Sequence, residues 1–153
     1  MTQHAPGLNR VQAAAFLTRR TGQSFCEGRL RAWEARGLLS PLPARCRGPH
    51  HPAVYRLPDL LAAEIIATLR LQGASLQRLR RGLRELSRLM PGIMERPGEW
   101  NLAATAAGDV VRIQSDREWL ELTRKPGQLA VRIDAGALAR ELRALVKDEK
   151  RTA

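Results

Sequence analysis

The chain is predicted to be mainly α-helical, with a small mixed α/β portion at its C-terminal end. Three observations predict this. Apolar residues recur at spacings of three and four along residues 57–89, the period of a helix face. Glycine and proline punctuate the chain at 21–22, 36–37, 40–53, 91–92 and 97–98, cutting it into helix-length segments. Only beyond residue 98 do short strand-like runs, 100–105, 109–114 and 129–133, alternate with helical ones.

Taken in order, Asn9 is placed to cap a first helix beginning near Val11, with Val11, Ala14, Ala15, Phe16 and Leu17 clustered on one side. Thr21-Gly22 stops it. Ser24 is expected to start a second helix that carries Leu30, Trp33 and Glu34 and ends at Arg36-Gly37. The prolines and glycine of residues 40–53 forbid a regular helix, and Val54-Tyr55-Arg56-Leu57 reads as a short strand. Pro58 and Asp59 open a third helix with an apolar face of Leu60, Leu61, Ile65, Ile66, Leu69 and Leu71, ended by Gly73. Ser75 caps a fourth, whose Leu76, Leu79, Leu83, Leu86 and Leu89 form one stripe.

Pro91-Gly92 and Pro97-Gly98 predict a linker over 91–98. Beyond it the order is β-β-α-β-α. Ser115 and Glu118 make a capping box for a helix bearing Trp119, Leu120 and Leu122. Asp134 caps the last helix, with Leu138, Leu142, Leu145 and Val146 on one face. The predicted domains are 8–90 and 99–150. About 50 residues with three short strands is marginal alone. The second domain is therefore expected to dimerise the protein or dock a protein partner, through a strand edge or the Leu138/Leu142/Leu145 face.

The 153 residues carry 26 Lys plus Arg against 15 Asp plus Glu, a net charge of +11, and only three of the cations are lysine. Arginine, alanine and leucine enrichment can reflect a GC-rich genome. Base composition, however, would not confine the excess to one half: residues 1–90 hold 15 arginines and 5 acids, residues 91–153 hold 11 cations and 10 acids. A basic half beside a neutral one points to a polyanion as partner. No run of 18 apolar residues exists to span a membrane, and the first residues lack the basic and apolar regions of a signal peptide, so a cytoplasmic, nucleoid-associated location is expected.

Several pieces stand in a distinctive order: Ala14-Ala15 before Thr21-Gly22, Leu30-Arg31-Ala32-Trp33-Glu34, Gly37-Leu38-Leu39-Ser40-Pro41, Tyr55-Arg56 before Asp59-Leu60, and Leu69 to Leu76 containing Gly73, Ser75 and Leu76. Over residues 8–89 this resembles the DNA-binding domain of the MerR family. The resemblance implies an N-terminal winged helix-turn-helix of four helices plus a wing, followed by the small C-terminal α+β domain. It implies double-stranded DNA as partner and a dimeric transcriptional regulator as function. The helix at 24–36 would enter the major groove. Arg19, Arg20, Ser24, Arg29, Arg31, Arg45, Arg47, Tyr55 and Arg56 would supply the DNA contacts, Arg45 and Arg47 from the wing. If these arginines neutralise about six phosphates, affinity falls with salt at a log–log slope of roughly −5. The chain departs from the family in three ways. The segment from Gly22 to Leu30 is two residues longer, the step from Arg56 to Asp59 is shorter and resembles the compact excisionase-like members, and Pro91-Gly92 falls where family dimers carry a long coiled-coil helix.

Other roles have weaker signals. Trp33 reads as a core residue, and Tyr55 as either strand packing or a phosphate contact. The arginines at 78, 80, 81, 84 and 88 read as a solvated face, or one that meets DNA or an acidic partner. Cys26 and Cys46 could serve a metal or redox sensor, but both lie in the N-terminal half with no third Cys beyond it, and His50-His51 in a Pro-rich loop read as solvent- or phosphate-facing, so no metal or cofactor is expected. No Gly-rich phosphate loop is present, and residues 91–153 contain neither His nor Cys, so an enzyme is not expected. An antitoxin-like autoregulator and an architectural, DNA-bending factor are the alternative functions.

Overall fold

A computed structural model of the protein describes residues 7–43, 53–124 and 130–152. Among these the fold is mainly helical, with a small three-stranded antiparallel sheet. The order is α1 (Arg10–Thr21), α2 (Glu27–Ala35), β1 (Leu42–Pro43), β2 (Ala53–Val54), α3 (Leu57–Leu71), α4 (Leu76–Glu95), β3 (Asn101–Thr105), β4 (Val110–Ile113), α5 (Asp116–Thr123), β5 (Ala130–Asp134) and α6 (Ala135–Thr152). The chain forms two compact units: residues 1–64 with 140–153, and residues 65–139. The boundaries fall inside α3 and α6.

In the first unit, Asn9 caps α1 reciprocally with Gln12: each side chain bonds the other's backbone N–H, at 2.8 and 2.9 Å. Gly22, at φ 72°, closes the helix. The helix buries Ala13, Ala14, Phe16 and Leu17, whereas Val11 is 62% exposed and Ala15 is exposed as well, so the predicted cluster holds only in part. α2 begins at Glu27, three residues later than expected. Ser24 stays in the turn before the helix, where its carbonyl accepts from the Arg29 guanidinium and the Phe25 N–H donates to the Thr18 hydroxyl. The two extra residues are therefore spent in the turn.

α2 ends in a Schellman arrangement. Gly37, at φ 73°, donates to the Glu34 carbonyl and Leu38 to the Trp33 carbonyl. Trp33 and Leu38 are both buried. β1 and β2 pair antiparallel, Leu42 with Val54 and Pro43 with Ala53, and Leu8 bridges Tyr55. The Arg56 N–H donates to the Asp59 carboxylate, which starts α3. Leu60, Leu61, Ile65, Ile66 and Leu69 are fully buried, but Leu71, expected on that face, is 73% exposed.

In the second unit Ser75 caps α4 as predicted, its hydroxyl accepting from the Arg78 N–H. The leucine stripe is narrower than expected: Leu79 and Leu86 are buried, Leu83 and Leu89 half-buried, and Leu76 42% exposed. The linker predicted over 91–98 is corrected. α4 runs through Pro91-Gly92 to Glu95 and a 3₁₀ turn follows at Pro97–Glu99. A proline inside a helix costs about 3 kcal/mol. Here burial of Ile93 and packing of Trp100 on Gly92 offset that cost; a Cβ at Gly92 would stand 2.6 Å from the indole.

β3 is the central strand, flanked by β4 and β5, with Leu102 opposite both Arg112 and Ile133. Ser115 caps α5 by accepting from the Glu118 N–H, and Asp134 caps α6 by accepting from the Ala137 N–H. α5 buries none of its residues, and Leu120 is 52% exposed. Of the helix face suggested for dimerisation, Leu138 and Leu142 are buried and Leu145 is half-buried.

Candidate nucleic-acid interface

The candidate interface centres on α2. Its inward side is fixed by Leu30 and Trp33, which are 0% and 5% exposed. Phe25 meets Trp33 edge to face at 5.8 Å. Those positions leave Gly28, Arg31, Ala32 and Ala35 on the outward stripe, all exposed. Three of these four side chains are small, so a partner surface can approach the helix axis closely. The small residues were overlooked in the sequence, although their i, i+4, i+7 spacing among larger residues was visible.

Arg29 does not swing freely. Its guanidinium lies 4.7 Å from the Phe25 ring and 5.0 Å from the Trp33 ring, and it donates to the Ser24 carbonyl at 2.9 Å. Arg31 is held more loosely, by an exposed ion pair with Glu27 one turn earlier. Such a pair contributes little and can be exchanged for another anion.

Orientation of α2 depends on α1 and on Tyr55. Arg10 and Glu34 join the two helices through a two-bonded ion pair. Tyr55 is fully buried beside that pair. Burial, and then the Glu34 charge, push its phenol well above the ordinary tyrosine range. Its hydroxyl makes no hydrogen bond of ordinary geometry. Of the two readings of Tyr55, strand packing is the one this placement allows; a phosphate has no access to the side chain.

The chain matches no protein-family model. No curated protein is similar enough to count as a relative.

Arg20, expected to contact DNA, is occupied instead by Glu64 at 3.1 Å and Glu141 at 3.0 Å, with its side chain 13% exposed. Burial disfavours its charge, but the two carboxylates outweigh burial and raise its pKa. Glu64 is itself raised, because burial outweighs the help from Arg20. No local signal marks this pairing, which joins residues 121 positions apart. Arg19 is exposed at an open cleft whose wall includes Glu141, Leu145 and Asp148. Ser24 is exposed in the turn, and Arg56 is half-buried at the start of α3. Arg45 and Arg47, and with them Cys46, His50 and His51, lie outside the described residues. The structure thus brings Ser24, Arg29 and Arg31 together on α2 and its leading turn. It leaves Arg19 and Arg20 on the last turn of α1, with Arg20 held between Glu64 and Glu141.

Among the described residues no cluster of His, Cys, Asp and Glu has the makings of a metal site, and no helix is long and apolar enough to cross a membrane.

Proposed function

We propose that this chain binds double-stranded DNA as a transcriptional regulator. In this reading α1 and α2 form a helix-turn-helix of MerR-like type, β1 and β2 form the base of a wing, and residues 99–150 assemble a dimer. The observation that carries it is the outward stripe of α2. Gly28, Ala32 and Ala35 let the helix sink toward base edges, where alanine offers apolar contact to a thymine methyl. Arg31 and Arg29 stand beside them, one exchangeable and one pre-oriented, as phosphate or guanine contacts require. The excess of cations over acids in residues 1–90 supplies the long-range attraction.

Capture of sheared genomic DNA on the full-length protein at near-physiological salt, followed by sequencing, tests the proposal. Enrichment of a few sites sharing an inverted repeat is the expected result. Uniform recovery that vanishes with modest added salt would reduce the activity to nonspecific polyanion binding and remove the regulatory reading.

A further inference from the structure

We infer that the outward face of α4 is a second phosphate-contacting surface, on which duplex DNA lies against Arg80, Arg84 and Arg88. The inference rests on the proposed function and extends it to a surface wholly inside the second unit.

Packing decides which face of α4 looks outward. Leu79, Gly82, Leu86 and Ile93 are buried. The β3–β4 turn presses on the same side. A Cβ at Gly108 would lie 2.6 Å from the Arg78 carbonyl oxygen, and one at Gly82 would touch Val110 at 3.5 Å. The opposite side presents Gln77, Arg80, Arg84, Ser87, Arg88 and Pro91, all exposed. Arg80, Arg84 and Arg88 are spaced i, i+4, i+8. They make a straight row with about 6 Å between successive members along the axis.

Such a row is unfavourable in the isolated chain, since like charges one turn apart disfavour a helix. α4 carries five arginines and only two acids, Glu85 and Glu95. Glu85 bonds Arg88 and Asp109 bonds Arg81, both as exposed pairs that another anion can replace. A row of phosphates turns the repulsion into attraction. The chemistry of the face favours DNA over an acidic protein. The exposed large apolar side chains of α4, Leu76 and Met94, lie at its two ends, and none stands among the arginines between them. Protein interfaces centre on apolar and aromatic anchors, whereas DNA interfaces are polar and strongly cationic.

The test uses the full chain and a 30-base-pair duplex of random sequence, titrated across a series of salt concentrations. Three variants are compared with the parent: Arg80→Gln/Arg84→Gln/Arg88→Gln, the same triple to Lys, and Arg31→Ala. Thermal melts show that each is folded. The glutamine triple is expected to reduce the magnitude of the log–log salt slope by roughly 2 to 3, at about 0.9 per phosphate. The lysine triple is expected to restore it. If Arg31→Ala weakens binding while the glutamine triple leaves affinity and slope unchanged, the α4 surface is refuted and the α2 reading stands. If the triple lowers the slope and Arg31→Ala does nothing, the α4 surface stands and the α2 reading falls. A parent chain that binds no duplex refutes both. Retention on immobilised polyglutamate that depends on the three arginines, with DNA binding unchanged, would assign the face to an acidic protein and overturn the proposal.

Discussion

Arg10 and Glu34 meet through two hydrogen bonds, Nε to Oε2 at 2.8 Å and Nη2 to Oε1 at 3.1 Å, so the first turn of α1 is clamped to the last turn of α2. Both side chains are under 20% exposed, at 18% and 16%, so solvent does little to screen the pair. Glu34→Ala removes the carboxylate that Arg10 engages and is expected to cost about 2 kcal/mol. For a chain of this length that lowers Tm by roughly 4 to 8 °C. The double variant Arg10→Ala/Glu34→Ala should lose less than the sum of the two single changes. Strict additivity in the melts would show that the clamp carries no coupling.

Tyr55 predicts an alkaline weakness. Folding holds its phenol protonated, while the unfolded chain ionises near pH 10. The unfolded state then binds fewer protons, so stability falls as pH rises through about 10. Tyr55→Phe should flatten that fall. At pH 7 it should change stability by less than about 1 kcal/mol, because the hydroxyl has no hydrogen bond of ordinary geometry to lose. Urea titrations at pH 7 and at pH 10.5 measure both effects. An equal alkaline loss in the variant would dismiss Tyr55 as its source.

Two glycines with similar backbone angles should respond differently to alanine. Gly37 sits at φ 73° with open space around a would-be Cβ, and Gly37→Ala is expected to cost about 1 kcal/mol from strain alone. Gly108, at φ 92°, adds a clash with the Arg78 backbone. Gly108→Ala should cost about 3 kcal/mol, since neither backbone can yield easily. Comparable melting temperatures for the two variants would contradict the close seating of the β3–β4 turn on α4.

Arg31 and Arg29 separate binding from stability. Arg31→Ala should weaken binding to all duplexes alike and reduce the salt slope by about 0.9, with stability unchanged within roughly 0.5 kcal/mol. Arg29→Ala also removes two ring contacts, and should lower stability by about 1 kcal/mol. Salt-series titrations and melts on both variants check this. Loss of preference for a single base pair in Arg31→Ala, with nonspecific affinity intact, would make Arg31 a base reader instead.

The elements whose signals are local were legible in the sequence. Asn9, Ser75, Ser115 and Asp134 cap their helices because a short polar side chain can reach an N–H two or three residues on, whatever the rest of the chain does. The order of strands and helices after residue 98 was readable for the same reason. What escaped notice depended on distant partners. Ser24 was expected to start the second helix, but its carbonyl accepts from Arg29 and the next N–H donates to Thr18, and α2 begins at Glu27. Pro91 resembled a break until Trp100 and Ile93 fixed the helix around it. Within the candidate site, Arg29 and Arg31 could be named from sequence, but that Arg20 would be occupied by Glu64 and Glu141 could not.

Because residues 140–152 of α6 belong to the first unit, that unit cannot be finished when its N-terminal portion leaves the ribosome. Residues 65–139 must be translated in between, a wait of roughly 4 to 15 s at about 5–20 residues per second. Until then Arg20 has Glu64 but not Glu141, and the Phe16 and Arg19 end of α1 has nothing of α6 beside it. The nascent chain therefore passes through a stage in which α1 and α2 have been made but the helix that completes their unit has not.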